Sequence, residues 1–286
     1  MSAQPLQIPE SGQIGEMPVE ESVDAWVERS VESAPNKARL QQRLDAIRTE
    51  DALVCFLHRF VLFNDALAAR VPFLAGLIHL TPDLFVEREV DEAFCRQCNG
   101  RIAAFVAEAA ADEYQMTAEQ NLVHQYLSQQ FFLGVLDHFG RDGKSFDRRF
   151  PVPERLMALL AEARERHFVE RGPDHLFAAL GFHVGLEVFA HQEFNLVDAW
   201  LKERHPALVS RLKRGGKQGS AYRWLGIHTV VEITHYRAGL EALKLALDTY
   251  HRPDHRPRMT MSIREGFASF IDLQARFYQA ILCDVA

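Results

Sequence analysis

Hydrophobic residues recur every three or four positions along most of the chain, whereas glycine and proline are confined to a few short stretches. On an α-helix this spacing places the apolar side chains on one face, so the pattern predicts amphipathic helices and no sheet. We therefore expect an all-α protein. The predicted helices cover residues 22–50 with an interruption near Pro35, 51–69 with a continuation from Pro72 to residue 80, 90–114, 119–139, 154–170, 174–191, 194–204, 222–250 and 263–283.

The first 21 residues differ from the rest because they are polar and lack this periodicity. They also lack the basic segment and the apolar segment of a secretory signal, so we expect a flexible N-terminal tail at 1–21 and no export. No repeat or domain linker interrupts the remainder, and its length suits one compact core. Residues 22–286 are therefore predicted to form a single helical domain.

The charge balance narrows the choice of partners. The 286 residues carry a formal net charge of −7, and nucleic-acid binding needs a clustered positive surface, so we expect no nucleic-acid partner. The most apolar stretch, residues 61–80, is interrupted by Asn64, Asp65, Arg70 and Pro72, and it therefore does not predict a membrane-spanning helix. These features predict a soluble, cytoplasmic protein with no membrane partner.

The sharpest chemical signal is the motif His228-Thr-Val-Val-Glu232-Ile-Thr-His235, which lies in a predicted apolar helix. On a helix its three ionisable residues fall within about 60° of one another, so they share one face. Burying a carboxylate and two imidazoles without partners costs several kcal/mol, and a metal ion compensates all three together. The motif therefore predicts metal ligands; the alternative is a solvated polar face or a hydrogen-bonded pair of core histidines.

A second helix contributes Glu187, which is surrounded in the sequence by phenylalanine, leucine and valine. A carboxylate in such a run needs a cation, so Glu187 is a candidate metal ligand. His183 and His191 lie one turn before and one turn after it. Single histidines of this kind more often support a ligand by hydrogen bonding, or simply pack in the core, than bind the metal, and we assign both to the supporting role.

The third candidate pair is Glu113 and His124. In one unbroken helix the two residues would lie about 16 Å apart, too far for one metal site. Thr117 and Gln120 fit a capping box, which predicts that one helix ends and another begins between them, so that the chain can fold back. Asp112 is the substitute if Glu113 points outward, and the plainer alternative is an exposed acidic helix end with an unrelated histidine.

The order of these residues resembles that of the haem-oxygenase-like di-iron oxidases and oxygenases: a glutamate, a spaced histidine, a lone glutamate on the next core helix, and then H-x-x-x-[DE]-x-x-H. The resemblance covers residues 51–250, and it implies a seven-helix haem-oxygenase-like bundle. The last motif usually carries aspartate where this chain has Glu232, and the spacing of the first pair varies among relatives. The resemblance implies two iron ions, with manganese as an alternative at one of them, held by Glu113, His124, Glu187, His228, Glu232 and His235.

The same resemblance implies an oxygenase of biosynthesis with dioxygen as co-substrate. Its substrate would be a small polar molecule, an amine or an amino-acid derivative, and an external electron donor and a homodimer are compatible with it. We favour N-oxygenation, because the long spacing of the first pair looks like that of N-oxygenating members; oxidative C–C cleavage or decarboxylation by the same centre is the alternative. Tyr126 and Arg237 are candidate substrate contacts.

Three other classes compete with this hypothesis. Ferritin-like carboxylate proteins need Glu-x-x-His on each of two helices, and here only Glu232 and His235 fit. A haem-binding relative would use one axial histidine and would not need a buried carboxylate beside it. A metal-free helical interaction protein that kept the fold would bind no stoichiometric iron.

Overall fold

The computed structural model describes residues 22–86, 92–113, 124–166, 172–214 and 220–285, apart from the side chains of residues 92–97, 110, 112 and 113. Throughout these ranges the protein is helical and contains no strand; an isolated antiparallel bridge joins Phe85 and Tyr250. The prediction of an all-α helical bundle is confirmed. The predicted capping box at Thr117 lies outside the described residues.

The helices follow one another with short connections. Their bounds are α1 Val23–Ser33, α2 Asn36–Ala46, α3 Glu50–Ala68, α4 Val71–His79, α5 Glu92–Glu113, α6 His124–His138, α7 Gly143–Arg149, α8 Glu154–Glu165, α9 Pro173–Arg204, α10 Pro206–Lys213, α11 Arg223–Thr249 and α12 Arg256–Ala280.

Local sequence accounts for several of these bounds. The side chain of Thr49 accepts a hydrogen bond from the backbone N–H of Ala52 and caps α3. Pro72 and Pro173 lie in the first turns of α4 and α9, where the missing N–H of proline costs nothing. The predicted interruption near Pro35 is present, since α1 ends at Ser33 and α2 begins after it.

The separate helices predicted at 174–191 and 194–204 are wrong, because α9 runs without a break from Pro173 to Arg204. Gln192 and Glu193 interrupt the apolar pattern, but neither residue breaks a helix, and Glu193 is buried with hydrogen-bond donors from α12. The short helices α7 and α10 were not predicted.

The chain divides into two compact units, Met1–Ala34 and Pro35–Ala286. Within the first, Ser22 caps α1 by accepting a hydrogen bond from the backbone N–H of Ala25. The second unit contains α2 to α12. In it α9 is the central helix and packs against α11 and α12, α11 also packs against α5 and α6, and α3 packs against α6 and α8.

Two glycines set how closely α9 and α12 approach. A Cβ atom at Gly181 would overlap the backbone carbonyl group of Ile263, and a Cβ atom at Gly266 would overlap that of Ala178. Only glycine allows two helix backbones to touch in this way. The close crossing leaves the opposite face of α9 to α11, and that face carries the site described below.

The segment Glu50–His79, which comprises α3 and α4, is long and apolar enough to cross a membrane by length and composition alone. Half of its most apolar window is buried inside the protein, and buried core helices meet the same criteria. The cytoplasmic location stays a prediction.

Candidate metal centre

Carboxylates and imidazoles form a continuous row through the interior of the second unit, and we call it the polar row. Each member lies within 3.7 Å of the next. All of them are buried except the aspartate at one end, whose side chain is 21% exposed. In order, the row contains His183, Glu187, His235, Glu232, His228, His124 and Asp65.

Helix α11 supplies the middle of the row. His228, Glu232 and His235 are between 4% and 6% exposed, and they lie on one face of the helix, as their spacing predicts. That face meets α9, which carries Glu187, and α6, which carries His124. The middle of the row therefore depends on the packing of α9 and α6 against α11.

Glu187, Glu232 and His235 form the acidic end of the row, which we call the acidic triad. One ligand atom from each lies within 4.8 Å of the others, and among the described residues this is the one group of metal-ligating side chains that meets this distance. His235 Nδ1 lies 3.5 Å from Glu187 Oε2 and 3.6 Å from Glu232 Oε2. Oxygen and nitrogen atoms around a metal ion with bonds of about 2.0–2.2 Å are separated by similar distances.

Burial controls the charges of the triad. Burial, together with the neighbouring Glu187 carboxylate, raises the pKa of Glu232 to about 8. Burial opposes ionisation of Glu187 as well, but the hydrogen bond from His235 holds its pKa below the ordinary value. Burial also opposes protonation of His235, yet its hydrogen bonds to the two carboxylates raise its pKa to about 11. Without a metal ion, protons on His235 and Glu232 therefore balance the triad.

His124 and His228 form the other half of the row, and we call them the histidine pair. His228 Nε2 lies 3.2 Å from His124 Nδ1, and His228 Nδ1 lies 2.6 Å from the carbonyl oxygen of Trp224. The indole N–H of Trp224 donates to His124 Nε2 at 3.0 Å. All four ring nitrogens are satisfied when each histidine donates from Nδ1. Burial lowers the pKa of His228 well below its ordinary value, so this histidine is neutral.

Asp65 completes the row on the side of α3. Its Oδ2 accepts a hydrogen bond from Ser128 at 3.1 Å. Its Oδ1 is buried, has no hydrogen-bond partner among the described residues, and lies 3.5 Å from His124 Nε2. A buried carboxylate oxygen in this state is costly unless a cation reaches it. Sequence analysis missed Asp65 as a site residue and used it only as an interruption of an apolar stretch.

Glu232 joins the two halves. Its Oε2 faces His235 in the acidic triad, and its Oε1 lies 3.7 Å from His228 Nε2 in the histidine pair. The two oxygens of this carboxylate are therefore directed at different halves of the row. The donor set of the whole row, imidazole and carboxylate, suits Fe(II) and Mn(II).

A cavity of about 370 Å³ reaches His124 of the histidine pair from the surface between α3, α6 and α8. Asp65 and His124 lie in its wall, so this is the open side of the row. Apolar residues of α3 and Phe132 of α6 form much of the remaining wall, and Arg164 of α8 also lines it.

The remaining predicted site residues take different positions. His183 is fully buried, and its Nδ1 lies 3.3 Å from Glu187 Oε1. His191 is partly exposed with its ring beside the amide of Asn195. Tyr126 is partly buried, Arg237 is exposed, and neither lines the cavity.

Glu113 is the last residue of α5, and its side chain lies outside the described part of the protein. Its predicted pairing with His124 therefore stays a prediction.

No protein-family model, curated protein or solved structure matches this chain. The resemblance to the haem-oxygenase-like di-iron family stays an expectation that rests on the residues quoted for it.

Proposed function

We propose that the protein is a non-haem di-iron oxygenase that activates dioxygen for the oxidation of a small metabolite. The observation that carries this proposal is the position of Glu232, whose two carboxylate oxygens face the acidic triad and the histidine pair separately. One ion would bind to the acidic triad. A second ion would need Glu232, His228, His124 and Asp65 to move closer together, because these four residues do not meet the ligand distance that the triad meets.

The chemistry of the donors supports iron. Imidazoles retain Fe(II), and carboxylates adapt as the charge on the metal rises. When bound, the two ions would supply the electrons and open coordination positions needed to reduce dioxygen.

The protein's own contribution is to hold the ligands and to exclude water. His183 lies against Glu187 Oε1 and keeps the other oxygen of that carboxylate directed at His235. The carbonyl group of Trp224 fixes the ring of His228 with Nε2 facing the row. Phe194 stacks on the same ring with centroids 4.4 Å apart and limits the access of water.

The cavity beside Asp65 and His124 would give a substrate access to the second ion. We favour N-oxygenation of an amine or an amino-acid derivative, which rests on the sequence resemblance; oxidative C–C cleavage or decarboxylation by the same centre is the alternative. A metal-free helical interaction protein is the competing function, and the hydrogen bonds that satisfy the histidine pair without an ion favour it.

The test is iron binding followed by exposure to dioxygen. Protein purified without oxygen and loaded with Fe(II) should retain about two iron ions per chain, and mixing with O2 should produce a transient absorption band. Glu187→Ala, Glu232→Ala and His228→Ala should each abolish the band, whereas the control His191→Ala should only weaken it. Retention of less than about one iron ion per chain would favour the metal-free function.

A further inference from the structure

The cavity is a furrow between two antiparallel helices. Asp65 of α3 lies beside His124 of α6 at one end, and His58 of α3 stacks on Phe132 of α6 with ring centroids 4.5 Å apart at the other. All four residues line the cavity. At a rise of 1.5 Å per residue the two ends are about 10–12 Å apart, so the furrow suits an elongated molecule.

The furrow has an apolar wall along its length. Val61, Leu62 and Ala68 of α3 and Ala69, which follows that helix, line it together with Phe132. A volume of about 370 Å³ lies within the range of small-molecule sites. Burial beside Phe132 and Phe146 lowers the pKa of His58 to about 4, so that ring is neutral near pH 7 and adds no charge to the wall.

Among the described residues, Arg164 is the one arginine or lysine in the lining of the furrow. Arg164 is exposed, lines the cavity and forms no hydrogen bond or ion pair with any described residue. Arg166, two positions later, is held by Glu162 at 2.8 Å, as is Arg276 of α12. Gln125 and Gln129 of α6 add neutral amides to the lining.

We propose that this furrow binds a small carboxylate with an apolar body, with the carboxylate on Arg164 and the body against Phe132 and the apolar face of α3. A guanidinium group binds a carboxylate through two parallel hydrogen bonds. One arginine suits a monoanion, and Asp65 in the same wall disfavours a phosphate dianion. The proposal deepens the proposed function, because a ligand in the furrow extends to the Asp65 and His124 end of the row, but binding itself needs no metal ion.

Octanoate is a suitable probe, with octanamide as its neutral counterpart, and calorimetry on the metal-free full chain measures the binding of both. We expect octanoate to bind with a Kd on the order of 0.1 mM. Octanamide and the variant Arg164→Ala should each weaken binding at least about 10-fold, as expected for loss of a charged hydrogen bond. Ala68→Trp, which fills the furrow, should abolish it.

Arg155→Ala is the matched control. Arg155 is an exposed arginine of the same helix, lies nine residues before Arg164 on the opposite face, and does not line the cavity. This variant should bind octanoate as the wild type does. Equal affinity for octanoate and octanamide, equal affinity in Arg164→Ala and wild type, or no binding of octanoate would each overturn the proposal.

The metal centre and the carboxylate site can be rejected independently of each other. Octanoate binding that depends on Arg164 in a chain that retains no iron would reject the oxygenase and keep the carboxylate site. Retention of two iron ions in a chain that does not bind octanoate would reject the carboxylate site and keep the metal centre.

Discussion

The two halves of the polar row differ in what compensates their buried polar groups, which is protonation in the acidic triad and hydrogen bonding in the histidine pair. The acidic triad has two carboxylates beside one imidazole, so it is balanced only while His235 and Glu232 carry protons. In the histidine pair, burial keeps His228 neutral, and the pair is hydrogen-bonded to the backbone carbonyl group and the indole N–H of Trp224. A divalent ion can therefore replace protons in the first half, whereas in the second it must compete with hydrogen bonds that are already made.

This difference implies an order of metal binding. The acidic triad should bind the first ion tightly, because two buried carboxylates gain most from a cation. The histidine pair should bind the second ion more weakly, since His124 must first give up the hydrogen bond from Trp224. Asp65, whose Oδ1 accepts no hydrogen bond from a described residue, is the group that favours this exchange.

The largest effect is expected for Glu232→Ala. This residue faces both halves, so its loss should reduce iron retention from about two ions per chain to less than about one, measured by elemental analysis after desalting. His191→Ala, on the partly exposed side of α9, should retain both ions. Retention of two ions by Glu232→Ala would mean that this carboxylate does not join the halves.

The next largest effects are expected for His228→Ala and Glu187→Ala, which should each remove the ion of a different half of the row. His228→Ala should lose the second ion and keep the first, so that about one iron remains per chain. Glu187→Ala should instead remove the tight site, and titration with Fe(II) should then show only weak binding. The expected losses in affinity are at least about 100-fold at the affected half. Equal loss of both ions in His228→Ala would contradict independent halves.

Trp224→Phe is expected to raise the affinity for the second iron ion, by less than the other variants lower it. The substitution removes the indole donor to His124 Nε2 and keeps an apolar ring. A neutral hydrogen bond contributes about 0.5–1.5 kcal/mol, so the second ion should bind about 2- to 10-fold more tightly. Calorimetric titration of the second site measures this change, and weaker binding in a folded variant would show that Trp224 instead supports the metal-bound state.

How much of this could be predicted from the sequence depends on how local each feature is. The shared face of His228, Glu232 and His235 follows from helix geometry alone, and the apolar neighbours of Glu187 already indicate that it is buried. Asp65 gave no such signal, because its role depends on the packing of α3 against α6, which spacing along one helix does not encode. The hydrogen bond between Trp224 and His124 joins two helices and was missed for the same reason.

The error in α9 has a related cause. Glu193 interrupts the apolar pattern, but Tyr278 and Gln274 of α12 donate hydrogen bonds to it inside the protein. A polar residue in an apolar pattern predicts a loop only when no distant partner is available, and the sequence alone does not identify that partner.

The smallest expected effect is on the pH dependence of stability, and it comes from Glu193. Unlike the carboxylates of the triad, this buried carboxyl group is surrounded by neutral hydrogen-bond donors. Burial raises its pKa to about 7, above the ordinary 4.5 of the unfolded chain. Its contribution to stability is therefore fully present below pH 4.5 and is lost as the pH rises through about 7. Between pH 5 and pH 8 the metal-free wild type should lose more stability than Glu193→Gln, measured by urea denaturation. If the free energy of unfolding changed equally with pH in the wild type and in Glu193→Gln, the pKa of this residue would not be raised.

The most direct test of the account is X-ray absorption of the iron-loaded protein, which measures the number and separation of neighbouring metal ions. If Glu232 joins two ions, the spectrum should contain an iron–iron distance of about 3.5–4 Å at about two ions per chain, and the distance should vanish in His228→Ala. An isolated iron ion with no metal neighbour, or a chain that retains no iron, would contradict the dinuclear centre.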